Sequence, residues 1–160
     1  MKEECTGAGI IVYYDNRGKT ISDIPEKIVY LVLIDNKGYY DFPKGGIEFG
    51  EYPFDCALRE TYEEINLSEQ DFEEFSGKIV KDKFSCGEGL VMFIGKIKKD
   101  SFYNTVIKAN EKSGYFEHSS YEWLDKNSIV ISKLKVNSTL KMKLPLYLQE
   151  CLSWASQKIV

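Results

Sequence analysis

Residues 45–67 read Gly45-Gly46-Ile47-Glu48-Phe49-Gly50-Glu51-Tyr52-Pro53-Phe54-Asp55-Cys56-Ala57-Leu58-Arg59-Glu60-Thr61-Tyr62-Glu63-Glu64-Ile65-Asn66-Leu67, a glycine-bearing loop that passes into a helical pattern. Pro53 suits the first turn of a helix, and Ala57, Leu58, Thr61 and Ile65 can form its packed side, so the spacing predicts a helix over residues 53–65. On that helix Glu60 and Glu64 lie four apart and Glu63 lies three beyond Glu60, which projects the three carboxylates from neighbouring positions. Like charges at this spacing repel. Their clustering has a reason if they bind a cation that takes oxygen ligands, as Mg²⁺ or Mn²⁺ does. Such an ion offsets the charge of phosphate oxygens and lowers the pKa of a coordinated water, so no covalent nucleophile is required. Arg59 serves differently: its rigid fork can pair with Glu51 or Glu63 and fix a carboxylate in orientation. Taken alone, a glutamate run of this kind is more often a solvated helix face.

Upstream, residues 9–14 and 28–34 are apolar and β-branched, and each run ends in a turn signal, Asp15-Asn16-Arg17-Gly18 and Asp35-Asn36-Lys37-Gly38. Two strands with hairpin-type exits are expected, then a short third strand over 38–42 and a glycine-containing loop over 43–50. Downstream, 75–84 and 89–97 read as paired strands and 116–123 as another. Residues 140–155 read as a helix with an apolar stripe of Leu140, Leu144, Tyr147, Leu148, Cys151 and Leu152, provided Pro145 falls in its first turn. Residues 98–115 have mixed polarity and form either a solvated connection or a loop on the substrate side.

The length, 160 residues, fits one domain spanning 1–160, and 43% hydrophobic with 14% aromatic residues is enough to fill a core. A net charge of −4, from 21 basic and 25 acidic residues, excludes a global positive field for a long nucleic acid. The acids are dense over 48–74, and lysines are frequent over 78–112 and 126–143. An acidic patch beside a basic rim admits a polyanion when divalent cations bridge the two. Cys5, Cys56, Cys86 and Cys151 form no CxxC pair, which argues against a zinc knuckle or redox pair and fits a reducing cytosol. His118 is the sole histidine, so a histidine-rich metal site is excluded. No apolar run reaches the length of a membrane span, and a cytoplasmic location without a membrane partner is expected.

Residues 45–67 resemble the Nudix hydrolase signature, G-x5-E-x7-R-E-U-x-E-E-x-G-U with U aliphatic. Gly45 matches its first glycine, Glu51 its isolated glutamate, Arg59-Glu60 and Glu63-Glu64 its two pairs, and Leu67 its last aliphatic position. Thr61 replaces an aliphatic residue, though its methyl can pack. Asn66 replaces the closing glycine and is the residue that best tolerates the same left-handed backbone. The resemblance implies an α/β/α sandwich, a mixed sheet covered by the signature helix and a carboxy-terminal helix. It further implies that Glu60, Glu63 and Glu64 bind the activating ions with help from the Lys44 carbonyl. Glu51 and Arg59 organise the catalytic site, and one glutamate accepts a proton from the attacking water.

Asp41-Phe42-Pro43-Lys44-Gly45-Gly46 resembles the lead-in of asymmetric diadenosine tetraphosphate hydrolases and of RNA 5′-pyrophosphohydrolases, where Lys44 would meet phosphate. Phe116-Glu117-His118-Ser119-Ser120-Tyr121-Glu122-Trp123 resembles the E-H-x-x-Y-x-W segment of the diadenosine tetraphosphate hydrolases. That match implies that Glu117 joins the metal site and that Tyr121 contacts phosphate. Trp123 is expected in the core, and His118 in a structural or surface role. The opening strand, Thr6 through Tyr13, is also similar. Phe84, Tyr103 and Tyr115 are candidate rings for stacking a base. The implied activity is metal-dependent hydrolysis of a dinucleoside polyphosphate, such as diadenosine tetraphosphate to ATP and AMP. The alternative is removal of pyrophosphate or a cap from an RNA 5′ end. A non-catalytic nucleotide-binding module is expected to lack a signature carboxylate or Arg59, and all are present.

Overall fold

The computed structural model describes residues 6–18, 23–81, 89–110 and 113–159. Strand β1 (Gly7–Asp15) is buried along almost its whole length. Ala8, Ile10, Val12 and Tyr14 enter one core, while Ile11 and Tyr13 enter another. Strand β2 (Ile28–Asp35) divides in the same way, with Val29, Leu31 and Leu33 on the first side and Tyr30 and Val32 on the second. Side chains alternate along a strand, so a continuously apolar strand marks a sheet covered on both faces.

The sheet is completed by β3 (Tyr40–Asp41), β4 (Lys44–Gly46), β5 (Phe72–Lys81), β6 (Leu90–Ile97) and β7 (His118–Asp125). It is mixed: β1 runs parallel to β6 but antiparallel to β2 and β4. Helix α1 (Pro53–Ile65) buries Cys56, Ala57 and Ile65 in the first core. Helices α2 (Lys126–Ile131) and α3 (Leu146–Lys158) cover the opposite face, with Ile129, Leu148, Cys151, Leu152 and Ala155 in the second core. The architecture is therefore the expected α/β/α sandwich.

What positions the site is an opening within the sheet. Strands β1 and β2 pair from Tyr13↔Tyr30 to Asp15↔Ile28. Beyond that point β1 takes β4 as its neighbour, through Gly7↔Gly46 and Gly9↔Lys44, and β2 takes β3, through Leu33↔Asp41 and Ile34↔Tyr40. Residues 40–46 fill the gap, which fixes the glycine loop ahead of α1 to the central strand. The approach is close: a Cβ on Gly9 would overlap the Pro43 carbonyl and the Lys44 side chain.

The helix expected over 53–65 is present with those bounds, whereas the one expected over 140–155 begins later, at Leu146. Pro145 has no N–H to donate and restricts the residue before it to extended backbone, so it stands at the N-cap rather than inside the helix. Thr139–Met142 instead forms β9, paired with β8 (Lys133–Val136) across a turn in which Asn137 and Ser138 both have positive φ. Leu140 consequently leaves the apolar stripe and is exposed. The third strand shortens to Tyr40–Asp41 because Gly38, at φ 97°, is used to turn the chain, its N–H bonded to the Asp35 carbonyl. Helix α2 was not foreseen, being too short to show a periodic pattern. Cys56 and Cys151 are free and buried, while Cys5 and Cys86 lie outside the described residues.

Gly9→Ala is expected to lower the unfolding free energy by about 1–3 kcal/mol, the usual cost of overpacking a filled site. Urea denaturation measures it, and an unchanged midpoint would show that β4 can move away from β1 without cost.

Candidate active site

The carboxylates of α1 are arranged around Arg59. Its Nε and Nη2 donate to Glu51 Oε2 and Oε1 at 2.8 and 2.9 Å, and Nη1 donates to Glu60 Oε1 at 2.8 Å and Glu63 Oε2 at 3.1 Å. Nη2 also donates to the Gly46 carbonyl at 2.9 Å, which ties the loop to the helix. The Cys56 thiol lies 3.4 Å from that same carbonyl, and burial pushes it up to about 12, so it is a packing group rather than a nucleophile. The two-bond contact with Arg59 holds the Glu51 carboxyl down at about 2. In turn Glu51 accepts the Glu48 N–H at 3.0 Å. A Cβ at Gly45 would lie inside the Glu60 carboxylate, so only glycine lets the loop pass so close to the helix.

Above this scaffold is a cleft of about 390 Å³ whose described lining includes Glu48, Glu60, Glu63, Glu64 and Glu117 together with Lys44, Arg59 and Lys108. Even with Glu64 neutral, four carboxylates against three cations leave this lining anionic. Glu64 is its most perturbed group, raised to about 9. Burial is the main cause, and the nearby Asp41, Glu60 and Glu117 charges add to it against one stabilising bond from the Lys44 N–H, at 3.1 Å. Glu60 is also raised, first by burial, with Arg59 opposing. For Lys44, burial acts to lower the pKa, but Asp41, 3.4 Å from its Nζ, together with Tyr147 and Glu64 more than offsets that, so the net shift is upward and the ammonium stays charged. Glu64, Glu117 and His118 each bring one ligand atom to within 4.8 Å of the others.

The NUDIX domain family matches residues 6–139, which run from the start of β1 into β9. The chain belongs to the Nudix family. No curated protein matches it. Among solved structures, a C. elegans Ap4A hydrolase in a binary complex is similar at 17% identity and a TM-score of 0.65, with 98% of each chain covered. The Nudix hydrolase RenU of M. smegmatis is similar at 13% identity and a TM-score of 0.65, over 100% of this chain and 90% of that one. The NUDIX domain of Shewanella oneidensis NrtR, complexed with ADP ribose, is similar at 11% identity and a TM-score of 0.62, over 100% and 91%. At these identities the likeness is one of fold.

Both departures from the Nudix signature have a local explanation. Thr61 is fully buried, and its hydroxyl donates to the Ala57 carbonyl at 2.7 Å, so the methyl packs while the polar atom is satisfied within the helix. Asn66 takes φ 68° at the helix end, as the closing glycine would, and its side-chain amide donates to the Asn104 carbonyl at 3.1 Å. A glycine could not make that second bond.

The expected site residues separate into two groups. Lys44, Arg59, Glu60, Glu63, Glu64 and Glu117 line the cleft together, while Glu51 is turned to Arg59 as a supporting carboxylate. Tyr121 is not among the described lining residues: its ring packs on the first core, and its hydroxyl accepts from Thr105 Oγ1 at 2.9 Å. That bond supports residue 105. Tyr115 and Tyr103 are exposed and also absent from that lining, and Phe84 lies outside the described residues. Trp123 is in the core, stacked on Phe102 at 4.8 Å between ring centroids.

His118 is more involved than its sequence context indicated. It is buried on the cleft wall, with Nε2 3.6 Å from Asp41 Oδ2. Lys108 and Asn110 are lining residues that sequence reasoning left unassigned, since the 98–115 segment has no periodicity to orient them.

The donor set fits a divalent cation. Glu64 is a carboxylate held by burial and like charge in a protonated state, the condition that an added positive ion relieves. Its folded-state pKa lies above the unfolded value of 4.5, so the folded protein holds the extra proton between about pH 4.5 and 9. Without metal, this group's contribution to stability therefore falls as pH rises through that window. Thermal melts should show Mg²⁺ or Mn²⁺ raising Tm more at pH 8 than at pH 6. Calorimetry in buffers of differing ionisation heat should show a proton released on metal binding at pH 7. In Glu64→Gln both effects should shrink, and their persistence there would assign them to another group.

Proposed function

We propose that this Nudix protein is a cytoplasmic, Mg²⁺- or Mn²⁺-dependent hydrolase of dinucleoside polyphosphates that cleaves diadenosine tetraphosphate to ATP and AMP. The observation that carries the hydrolytic reading is Glu64, a half-buried carboxylate in a cleft lined by Glu60, Glu63 and Glu117 and backed by the Lys44 N–H. Glu60, Glu63, Glu64 and Glu117, with the Lys44 carbonyl, would hold the ion. When bound, it offsets the charge of the phosphate oxygens and brings the pKa of a coordinated water toward neutrality.

Arg59 keeps Glu60 and Glu63 in place against their mutual repulsion. The Lys44 ammonium, charged beside Asp41, binds phosphate at the loop side of the cleft. A cleft carboxylate takes the proton of the attacking water as its oxygen bonds to phosphorus, and the bridging P–O bond breaks to release one nucleotide on each side. The choice of a dinucleoside polyphosphate is supported by 116–123, which resembles the asymmetric diadenosine tetraphosphate hydrolases, whereas 41–46 resembles both these and the RNA 5′-pyrophosphohydrolases. Both reach the cleft, through Lys44, Gly45 and Gly46 from one and Glu117 and His118 from the other.

Product analysis with Mg²⁺ tests the substrate, comparing diadenosine tetraphosphate with a 5′-triphosphorylated RNA and a capped RNA. ATP plus AMP should form fastest, and faster release of pyrophosphate or a cap nucleotide would reassign the protein to RNA 5′ ends. Glu64→Gln should lower kcat by about 10³-fold or more. Metal-free, it should fold at least as stably as the parent at pH 8, because a neutral amide then occupies a site that opposes charge. Parental turnover in Glu64→Gln would remove Glu64 from the reaction.

A further inference from the structure

The last carbonyls of a helix have no partner within it and must find one elsewhere. At the end of α1 the Ile65 carbonyl accepts the Val106 N–H at 3.1 Å, and the Glu64 carbonyl accepts the Lys108 N–H at 3.3 Å. Together with the Asn66 amide on Asn104, these bonds stitch residues 104–110 to the helix that carries the glutamates. The same segment holds Tyr121 through Thr105, and Asn110 Nδ2 donates to Glu117 Oε1 at 3.0 Å. It forms a fixed rim of the cleft rather than a free connection.

Lys108 is the cation of that rim. Its ammonium sits 3.7 Å from the centroid of the Tyr62 ring, which attracts the charge without neutralising it. The other two cations of the cleft are already engaged, Arg59 by Glu51, Glu60 and Glu63 and Lys44 by Asp41. Among the described residues Lys108 has no ion pair, although five glutamates line the same cleft. Its donors therefore remain available to an incoming anion.

We propose that Lys108 is a substrate-positioning residue, a second phosphate-binding cation beside Lys44, oriented by Tyr62 and held at fixed reach from the glutamates by its backbone bond to Glu64. The proposal rests on the polyphosphate reading of the cleft. Because the rim is anchored to α1 itself, phosphate held by Lys108 is registered against the same helix that supplies the carboxylates. A purely structural alternative is an ammonium capping the helix end, which predicts a loss of stability in place of a loss of binding.

Binding of adenosine 5′-(α,β-methylene)triphosphate with Mg²⁺, followed by calorimetry beside thermal melts and Mn²⁺ binding without nucleotide, separates the two. Lys108→Met should raise Kd by about ten- to a hundredfold, the effect of losing a charge-assisted hydrogen bond. It should leave Tm and Mn²⁺ affinity at parental values and, on a hydrolysed substrate, raise KM more than it lowers kcat. Lys108→Arg should recover most of the affinity, and Lys99→Met, an exposed lysine outside the described cleft lining, should bind as the parent does. Parental Kd in Lys108→Met would overturn the proposal, as would a fall in Tm with no change in Kd. If the parent itself binds no nucleotide, the polyphosphate reading fails, which is a different result from a parent that binds and a Lys108→Met protein that binds equally well.

Discussion

Arg59 binds Glu51 through two nitrogens, shares a third between Glu60 and Glu63, and reaches the Gly46 carbonyl, so one planar cation joins the loop ahead of α1 to the helix itself. Carboxylates at neighbouring positions of a helix repel, and the guanidinium offsets that repulsion between Glu60 and Glu63. A lysine could supply the charge but not the fork, since a compact ammonium does not match a carboxylate edge with two parallel bonds. With most of its donors spent inside the scaffold, Arg59 fixes the geometry of the cleft, and the groups left facing the cleft are those that can bind something else.

This arrangement gives two glutamates of one motif opposite electrostatic fates. Glu51, doubly bonded to the guanidinium, keeps its charge down to about pH 2. Glu64, thirteen residues on by numbering, is half-buried beside like charges, and the loss of water around it raises it to about 9. The first carboxylate serves the fold, while the second is held in a state that a cation would improve. That contrast follows from what surrounds each group rather than from residue type, and it gives the cleft its capacity for metal-dependent chemistry.

Positioning depends on two backbone devices at opposite ends of α1. Before the helix, β1 and β2 part after a few pairs, and residues 40–46 fill the opening, so Lys44 is held by sheet bonds as well as by Glu64. After the helix, residues 104–110 take up its terminal carbonyls and carry Lys108 and Asn110 to the cleft wall. Both devices satisfy backbone groups that would otherwise go unpaired on burial. In doing so they attach the substrate side of the cleft to the element bearing the carboxylates.

The sequence by itself determined the helix over 53–65, its glutamate face, the closing role of Asn66 and the apolar strands on either side. Each depends on contacts between residues a few positions apart, where spacing and backbone preference act directly. It also placed Glu117 at the cleft, but only through resemblance, because no local rule connects residue 117 to residue 64. Tertiary structure alone decided that His118 closes on Asp41 and Glu64, that Tyr121 turns to Thr105, and that Lys108 stands over Tyr62. Pro145 sets the start of the carboxy-terminal helix by its own local chemistry, but tertiary structure folded the residues before it into a hairpin. A side chain's role in the cleft is set by which distant segment arrives beside it and by how much water that segment excludes, and neither is written in the spacing of the residues themselves.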